Sequence, residues 1–405
     1  MFVRIDNTPR DYAWGSTTAI ADLLGRTPSG GPEAELWLGA HPASPSAIVD
    51  PEQTGGARTL TEWIERDPAR ALGAAAPPRL PYLLKVLAAA APLSLQAHPS
   101  SEQALAGFNR ENAAGIELDA PNRDYKDPFH KPEMLLALRD GFEALCGFRG
   151  LSSALADIGT LTSAAQEASA LRELHRRLIM QADAEQVLRG VVGWLLGGGD
   201  QVDQLVAVAT DAARAIVAGG AGTPGIRTVV LLADAYPGDP GVVLSLLLNR
   251  VSLRRGEALY LPAGNIHAYL SGLGVELMAA SDNVLRGGLT PKYIDVPELL
   301  RVLEFTPLPA PYLHAGHPAP GLSVFRPDVA DFCLTELDAR AAEDAGSRLM
   351  LGGAAIVLCT SGSARLTGAQ GTAPITRGEA FFVTPDEASL AVTGDATLFV
   401  AMPNR

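Results

Sequence analysis

Residues 256–267, GEALYLPAGNIH, limit what the chain can fold into more than any other stretch. Leu259 and Leu261 alternate with Ala258 and Tyr260, the pattern of a pleated, half-buried strand. Pro262 and Gly264 close that strand where a missing N–H or a positive φ is tolerated. His267 then opens a second strand, and it alone in the stretch can ligate a metal or carry protons near neutral pH. The stretch reads as a strand, a tight Pro/Gly turn and a strand entry carrying a histidine. On spacing alone a core histidine beside a turn fits as well as a ligand, so the remainder of the chain has to decide.

The order G-x5-P-x-G-x2-H resembles the second motif of the cupin barrels, small double-sheet jelly rolls that often hold a metal inside. A length of 405 residues exceeds one such unit and predicts two or three. With 47% hydrophobic and 19% charged residues the chain can bury globular cores. Cys146, Cys333 and Cys359 lie far apart with no C-x-x-C spacing. That excludes a disulfide framework and a thiolate zinc site, and predicts a reducing, cytoplasmic setting. The first residues are charged where a signal peptide would turn apolar, and no apolar run is long enough for a bilayer, so no membrane partner is expected. A formal charge of −13 without a basic stripe argues against nucleic acid. An anionic ligand would therefore need a local cationic pocket.

Taken in order, residues 1–150 mix short strands, turns and a few helices. Trp14 and Trp37 stand beside glycine-containing strand ends. Lys85 interrupts an apolar run, 80–87; such a lysine is usually a snorkelling edge residue and less often a buried ammonium. Residues 92–99 read as a strand with Ser94, Gln96 and His98 on one face. Ser100 or Ser101 caps a short helix over 102–108. Ionisable groups crowd 125–133 around two prolines and run into an apolar strand, which puts Glu133 at a loop-to-strand junction. From 151 to 235 the period turns helical, with Leu171, His175, Leu178 and Ile179 on one face and the glycine runs 197–199 and 219–220 as breaks. This predicts an all-helical insertion closing over the site without supplying metal ligands. Strand character returns over 251–277, a helix opened by Pro297 covers 296–302, and a Pro-rich stretch at 307–320 leads to alternating runs. The echo of the opening motif at 378–385 lacks a histidine. The expected fold is mainly β with an α-helical insertion. It comprises a cupin (jelly-roll) catalytic barrel from 1–150 and 236–310, a helical domain at 151–235, and a C-terminal jelly-roll-like β domain at 311–405.

Gln96, His98, Glu133 and His267 make a plausible shell for Zn²⁺, with two imidazoles, one carboxylate and one amide oxygen. Only Glu133 would carry charge, so the ion would remain a strong Lewis acid. Four runs then carry a family resemblance: 93–99 (LSLQAHP), 130–133 (HKPE), 260–269 (YLPAGNIHAY) and 282–292 (DNVLRGGLTPK). In this order they resemble type I mannose-6-phosphate isomerase (phosphomannose isomerase), a zinc-dependent cupin family. The resemblance spans Tyr12 to about Asp295, and the helical insertion and trailing β domain suit it. It implies interconversion of mannose 6-phosphate and fructose 6-phosphate, one zinc per chain on Gln96, His98, Glu133 and His267, and Arg286 as the essential catalytic arginine. Lys131, Glu276, Asp282, Lys292, Ser94 and Lys85 match pocket positions. Phe129 departs from the family, which commonly has Asn before HKPE. The expected partner is a small sugar phosphate, and the chain is expected to act as a monomer.

Aldose–ketose isomerisation moves a proton between C1 and C2 through an enediol, and stabilising the enediolate is the main task. Arg286 offers a planar charge for it, and Lys131 or Glu276 is the proton-shuttling base; the sequence does not choose between them. Lys292 with Ser94 is assigned to phosphate. The alternatives are a different metal-dependent cupin such as an Fe(II) oxygenase, or a non-catalytic sugar-binding cupin. Gln96 and the Lys131/Arg286 pair suit sugar-phosphate isomerisation better than the first. A mere binder would need no proton shuttle.

Overall fold

The computed structural model describes residues 1–180 and 183–404. Besides the two-residue Ala47–Ile48, the strands before the last third are Phe2–Asp6 (β1), Glu35–Leu38 (β2), Tyr82–Ala89 (β3), Gln96–Ala97 (β4), Glu133–Ala137 (β5), Phe142–Phe148 (β6), Leu248–Leu253 (β7), Ala258–Leu261 (β8), His267–Ala279 (β9) and Leu285–Arg286 (β10). Thirteen-residue β9 is the hub. Its second half lies between β3 and β5, and its start lies between β4 and β6, all antiparallel. β2 extends from β3 and β8 from β5, while β7 joins β6 and β10 joins β4. Strands from both sides of the helical segment thus close one double-sheet jelly roll, consistent with the cupin architecture.

A bulge sets the parity of β9. His267 and Tyr269 share one face, and a strict alternation would send Glu276 and Met278 to the other. The register slips between Tyr269 and Ser271, so that the cavity receives Tyr269, Glu276 and Met278 together. Gly272 follows at φ 128°, where an added Cβ would lie 2.7 Å from the Phe142 Cα. Only glycine lets the two backbones approach there.

Ser101–Ala113 (α1) is longer than the predicted 102–108, and Ser100 with Gln103 forms its capping box. Between Phe148 and the β7 strand come Leu151–Ala164 (α2), Ser169–Leu178 (α3), Ala184–Gly197 (α4), Asp200–Ala218 (α5) and Pro224–Ala235 (α6). On α3 the buried stripe is Leu171, Leu174 and Leu178, not the expected face with His175 and Ile179. The helix stops at Leu178, so Ile179 falls outside and is exposed. The helical core runs on into Leu95, Leu145, Phe148 and Ile266 of the jelly roll. Asp157 fastens the joint, accepting from Arg149 Nη2 at 2.7 Å and from Thr223 Oγ1 at 2.8 Å.

Val296–Val302 (α7) precedes the last unit, whose main strands are Cys333–Asp338 (β11), Ala355–Thr367 (β12), Ala380–Val383 (β13) and Ser389–Met402 (β14). Their sheet runs β11–β14–β12–β13 and is continued by β1 and Ala47–Ile48. The N-terminal strand therefore belongs to the C-terminal sheet, while Tyr312–Leu313 pairs back onto β8. A boundary drawn at 311 leaves both of these strands outside the unit whose sheet they join, because alternation identifies a strand without naming its partner. Between the two sheets lies one shared core, holding Leu84, Val86, Leu136 and Val275 from one side and Ile356, Phe382 and Phe399 from the other.

Candidate active site and metal centre

Glu133 opens β5 and His267 opens β9, so both side chains stand where a turn hands over to a rigid ladder. His98 follows β4, whose Gln96 is the register partner of both His267 and Arg286. The segment around them is less regular than the predicted 92–99 strand; only Gln96 and Ala97 are strand. Yet it delivers His98 to the place required. Donor atoms of His98, Glu133 and His267 lie within 4.8 Å of one another, all three buried. His98 Nε2 is 3.2 Å from one carboxylate oxygen of Glu133, and His267 Nε2 is 3.3 Å from the other.

Those donor atoms fit a metal on their own chemistry. Both Nε2 atoms and Glu133 Oε2 are buried without a hydrogen-bond partner, a costly state unless something else occupies their lone pairs. The opposite ring nitrogens are tied to backbone carbonyls: His98 Nδ1 to Asn283 O at 2.7 Å, His267 Nδ1 to Asn265 O at 3.0 Å. A carbonyl accepts only from N–H, so each Nδ1 carries the proton and each Nε2 presents a lone pair. Burial, with the nearby Lys131 charge, lowers the His98 pKa to about 4, which keeps it a neutral ligand. Burial alone would raise Glu133, but Lys131 and the two imidazoles outweigh it and hold the carboxyl well below its ordinary range. Gln96 lines the cavity above these three and can complete a four-ligand N/O set for zinc.

The cavity, about 380 Å³, brings together Lys85, Ser94, Lys131, Glu276, Asp282, Arg286 and Lys292. Lys85 is no snorkelling edge residue: all eight residues of β3 are buried. Its ammonium lies 2.9 Å from Glu276 and 3.6 Å from Glu35. Burial opposes that charge, but the carboxylates prevail and raise the Lys85 pKa. Burial, against the pull of Lys85 and helped by Glu133 and Glu35, raises the Glu276 carboxyl above its usual value. Lys131 Nζ sits 3.1 Å from Glu133. Arg286 is half-buried and forms no ion pair among the described residues.

Several residues here were not among the site candidates read from the sequence. Glu35 and Trp37 alternate on β2, and the Trp37 indole donates to Glu35 at 2.8 Å. His41 is buried, accepts the Ala43 N–H on Nδ1 and faces Asp282 Oδ1 with Nε2 at 3.3 Å. Fully buried Asn283 donates to the Asp127 and Phe129 carbonyls and accepts from the Lys126 N–H, while its own carbonyl holds His98. Tyr269 adds a buried hydroxyl with no partner. Period-two reading of 35–37 beside the lysine strand would have found Glu35 and Trp37. Asn283 and His41 act through long-range contacts that no local pattern encodes. Phe129, the departure from the family pattern, packs its ring 3.5 Å from the Arg79 guanidinium carbon.

Comparison with known proteins gives a consistent picture. Residues 2–151 match the family model for the catalytic domain of phosphomannose isomerase type I. The mannose-6-phosphate isomerase of Escherichia coli (strain K12) is 38% identical over 400 residues, 98% of either chain. That of Homo sapiens is 33% identical over 425 residues, 96% of this chain and 95% of its own. A crystal structure of mannose 6-phosphate isomerase bound with zinc and yttrium aligns over 100% of both chains, with a TM-score of 0.86 at 35% identity.

Proposed function

The chain belongs to the type I mannose-6-phosphate isomerases, and on that premise we infer that it interconverts mannose 6-phosphate and fructose 6-phosphate through an enediol, with zinc as cofactor. The observation that carries this reading is the set of orphaned donors on His98, Glu133 and His267 beneath a cavity rich in cations. These three and Gln96 would hold the ion. Zinc, when bound, supplies a Lewis acid that polarises the sugar oxygens.

Glu276 is the better base of the two candidates. Its carboxyl is raised above its ordinary value by burial, whereas the Lys131 ammonium is held by Glu133. Glu276 takes the proton from C2, leaving the electron pair in the C1–C2 enediolate, and returns it to C1. Lys131 gives a proton to O1 and recovers one from the O2 hydroxyl, so the sugar ends as an isomer with no net proton change. Arg286 faces the developing negative charge with a guanidinium that stays protonated throughout. Lys85 and Asp282 orient hydroxyls, while Ser94 and Lys292 receive the phosphate. Trp14, Trp37 and Tyr269 wall the chamber and limit water.

Residues 1–150 with 236–310 are read as the catalytic unit, 151–235 as its helical insertion and 311–405 as the C-terminal unit. The chain acts as a cytoplasmic monomer in this reading, and three buried free cysteines suit a reducing compartment. Incubation with mannose 6-phosphate should yield fructose 6-phosphate, with activity lost on chelation and regained with zinc. Full activity in metal-free protein, or unchanged metal content in His267→Ala, would overturn the assignment.

A further inference from the structure

Only four of the 32 basic residues in this chain are lysines: Lys85, Lys126, Lys131 and Lys292. Everywhere else a cation is needed, arginine serves. Yet all four lysines line one of two neighbouring chambers. Lys85 and Lys131 face the inner one already described, Lys292 faces both, and Lys126 faces only the outer one of about 670 Å³. A composition so biased toward arginine leaves lysine where a compact ammonium is wanted, not a planar fork.

Lys126 has no role in the chemistry derived above. Its backbone is nonetheless fastened on both sides. Asn283 Oδ1 accepts from the Lys126 N–H at 2.7 Å and the Asp127 N–H at 3.2 Å, and Arg123 Nε donates to the Tyr125 carbonyl at 2.6 Å. The side chain is left exposed. Lys85 and Lys131 are ion-paired, whereas Lys126, Arg286 and Lys292 form no ion pair among the described residues. These three cations line the outer chamber together, in a protein of net charge −13. Asp119, Asp124 and Asp282 line it too, but Asp282 is engaged by His41. Lys292 has its pKa lowered by burial and by the fields of Arg286 and Lys126, as expected of cations facing a common space.

We propose that Lys126 is a second phosphate-anchoring cation, closing on the substrate's phosphate from the outer chamber while Lys292 holds it at the boundary between the two. This rests on the isomerase reading and adds to it a specificity-determining residue. Asn283 then serves both ends of the substrate, through the His98 carbonyl contact and the Lys126 backbone. With four lysines, amine-selective labelling followed by mass spectrometry reads each site directly. Inorganic phosphate should slow labelling of Lys126 and Lys292 alike in the zinc-loaded protein. Lys126→Ala should raise KM for mannose 6-phosphate about tenfold, the scale of one charged hydrogen bond, with kcat within twofold and zinc content unchanged. Protection of Lys292 with Lys126 labelled at its unprotected rate overturns the proposal, as does a Lys126→Ala variant with unchanged KM. A wild-type protein that does not isomerise mannose 6-phosphate would instead sink the premise, and phosphate protection of both lysines would still establish the anion site.

Discussion

At the scale of single residues the site separates charges that are neutralised in place from charges held in reserve. Lys85 is spent on Glu276 and Glu35, while Arg286 and Lys292 keep theirs for a ligand. Arg286 precedes Gly287-Gly288 and lines the chamber from a short strand in which its register partner is Gln96. Losing a transition-state contact lowers kcat, whereas losing a uniform binding contact raises KM. Arg286→Ala is therefore expected to lose a hundredfold or more in kcat, roughly the cost of removing a fixed charge-stabilising group. Lys292→Ala should mainly raise KM. Steady-state kinetics at saturating zinc decide it, and the reverse pattern in either variant would refute the division. Asp124 offers a separate test. Burial, with Glu111 and Asp295 nearby and only partly offset by Arg286, raises its carboxyl to about 7. The unfolded chain ionises this group near pH 4, so between about pH 4 and 7 folding retains a proton and stability falls as pH rises. Asp124→Asn removes that cost. Its melting temperature should exceed the wild type's above pH 7 by on the order of 2 °C, with the gap closing near pH 4. A gap that persists at pH 4 would assign the effect to something other than ionisation.

At the scale of elements, the bulge in β9 is what makes one strand serve two tasks. Ahead of it His267 joins the cluster that can hold a metal, and beyond it Glu276 lines the cavity. Gly272→Ala should cost about 1–3 kcal/mol, the range for strained backbone positions, and lower kcat by misaligning Glu276 against His267. Chemical denaturation together with kinetics tests this; wild-type values in both would show that the approach of Phe142 to Gly272 is not tight. The sequence disclosed much of this element. The Pro-Gly turn was legible because its chemistry is local, and Glu133 at its loop-to-strand junction, whereas His267 needed the other motifs to tell a ligand from a core histidine. The bulge was not, since it appears only when β6 is laid alongside. For the same reason 92–99 read as a full strand: alternation there is real, but β4 finds partners for Gln96 and Ala97 alone. The insertion read clearly because a helix carries its period within itself. Its weakest reading, the face through His175, failed where the helix ended at Leu178.

At the scale of the molecule, the exchange of β1 into the C-terminal sheet makes the two β-units one folding body. Tyr82 of β3 donates its buried hydroxyl to Ala354 O at 2.9 Å and Ala401 O at 3.0 Å, across the whole interface. Trp63, from a helix preceding β3, stacks edge-on against Phe382 of β13 at 5.6 Å. Residues far apart in sequence thus fill a single core, and apolar burial is indifferent to chain order. Where two units share a core, neither can lose its half without exposing the other's, so they unfold together. Phe382 is fully buried there. Phe382→Ala should cost about 3–5 kcal/mol through lost transfer energy and the cavity left behind. Because the core is common, that loss should move the unfolding of the zinc-bearing jelly roll as well, although Phe382 lies in the other sheet. Calorimetry on the zinc-loaded protein should show one transition covering both β-units, displaced as a whole in the variant. Zinc release followed in the same heating experiment should shift by the same interval. A second transition that keeps its wild-type temperature, with zinc release following it, would mean that the jelly roll holds its metal site without help from the C-terminal sheet.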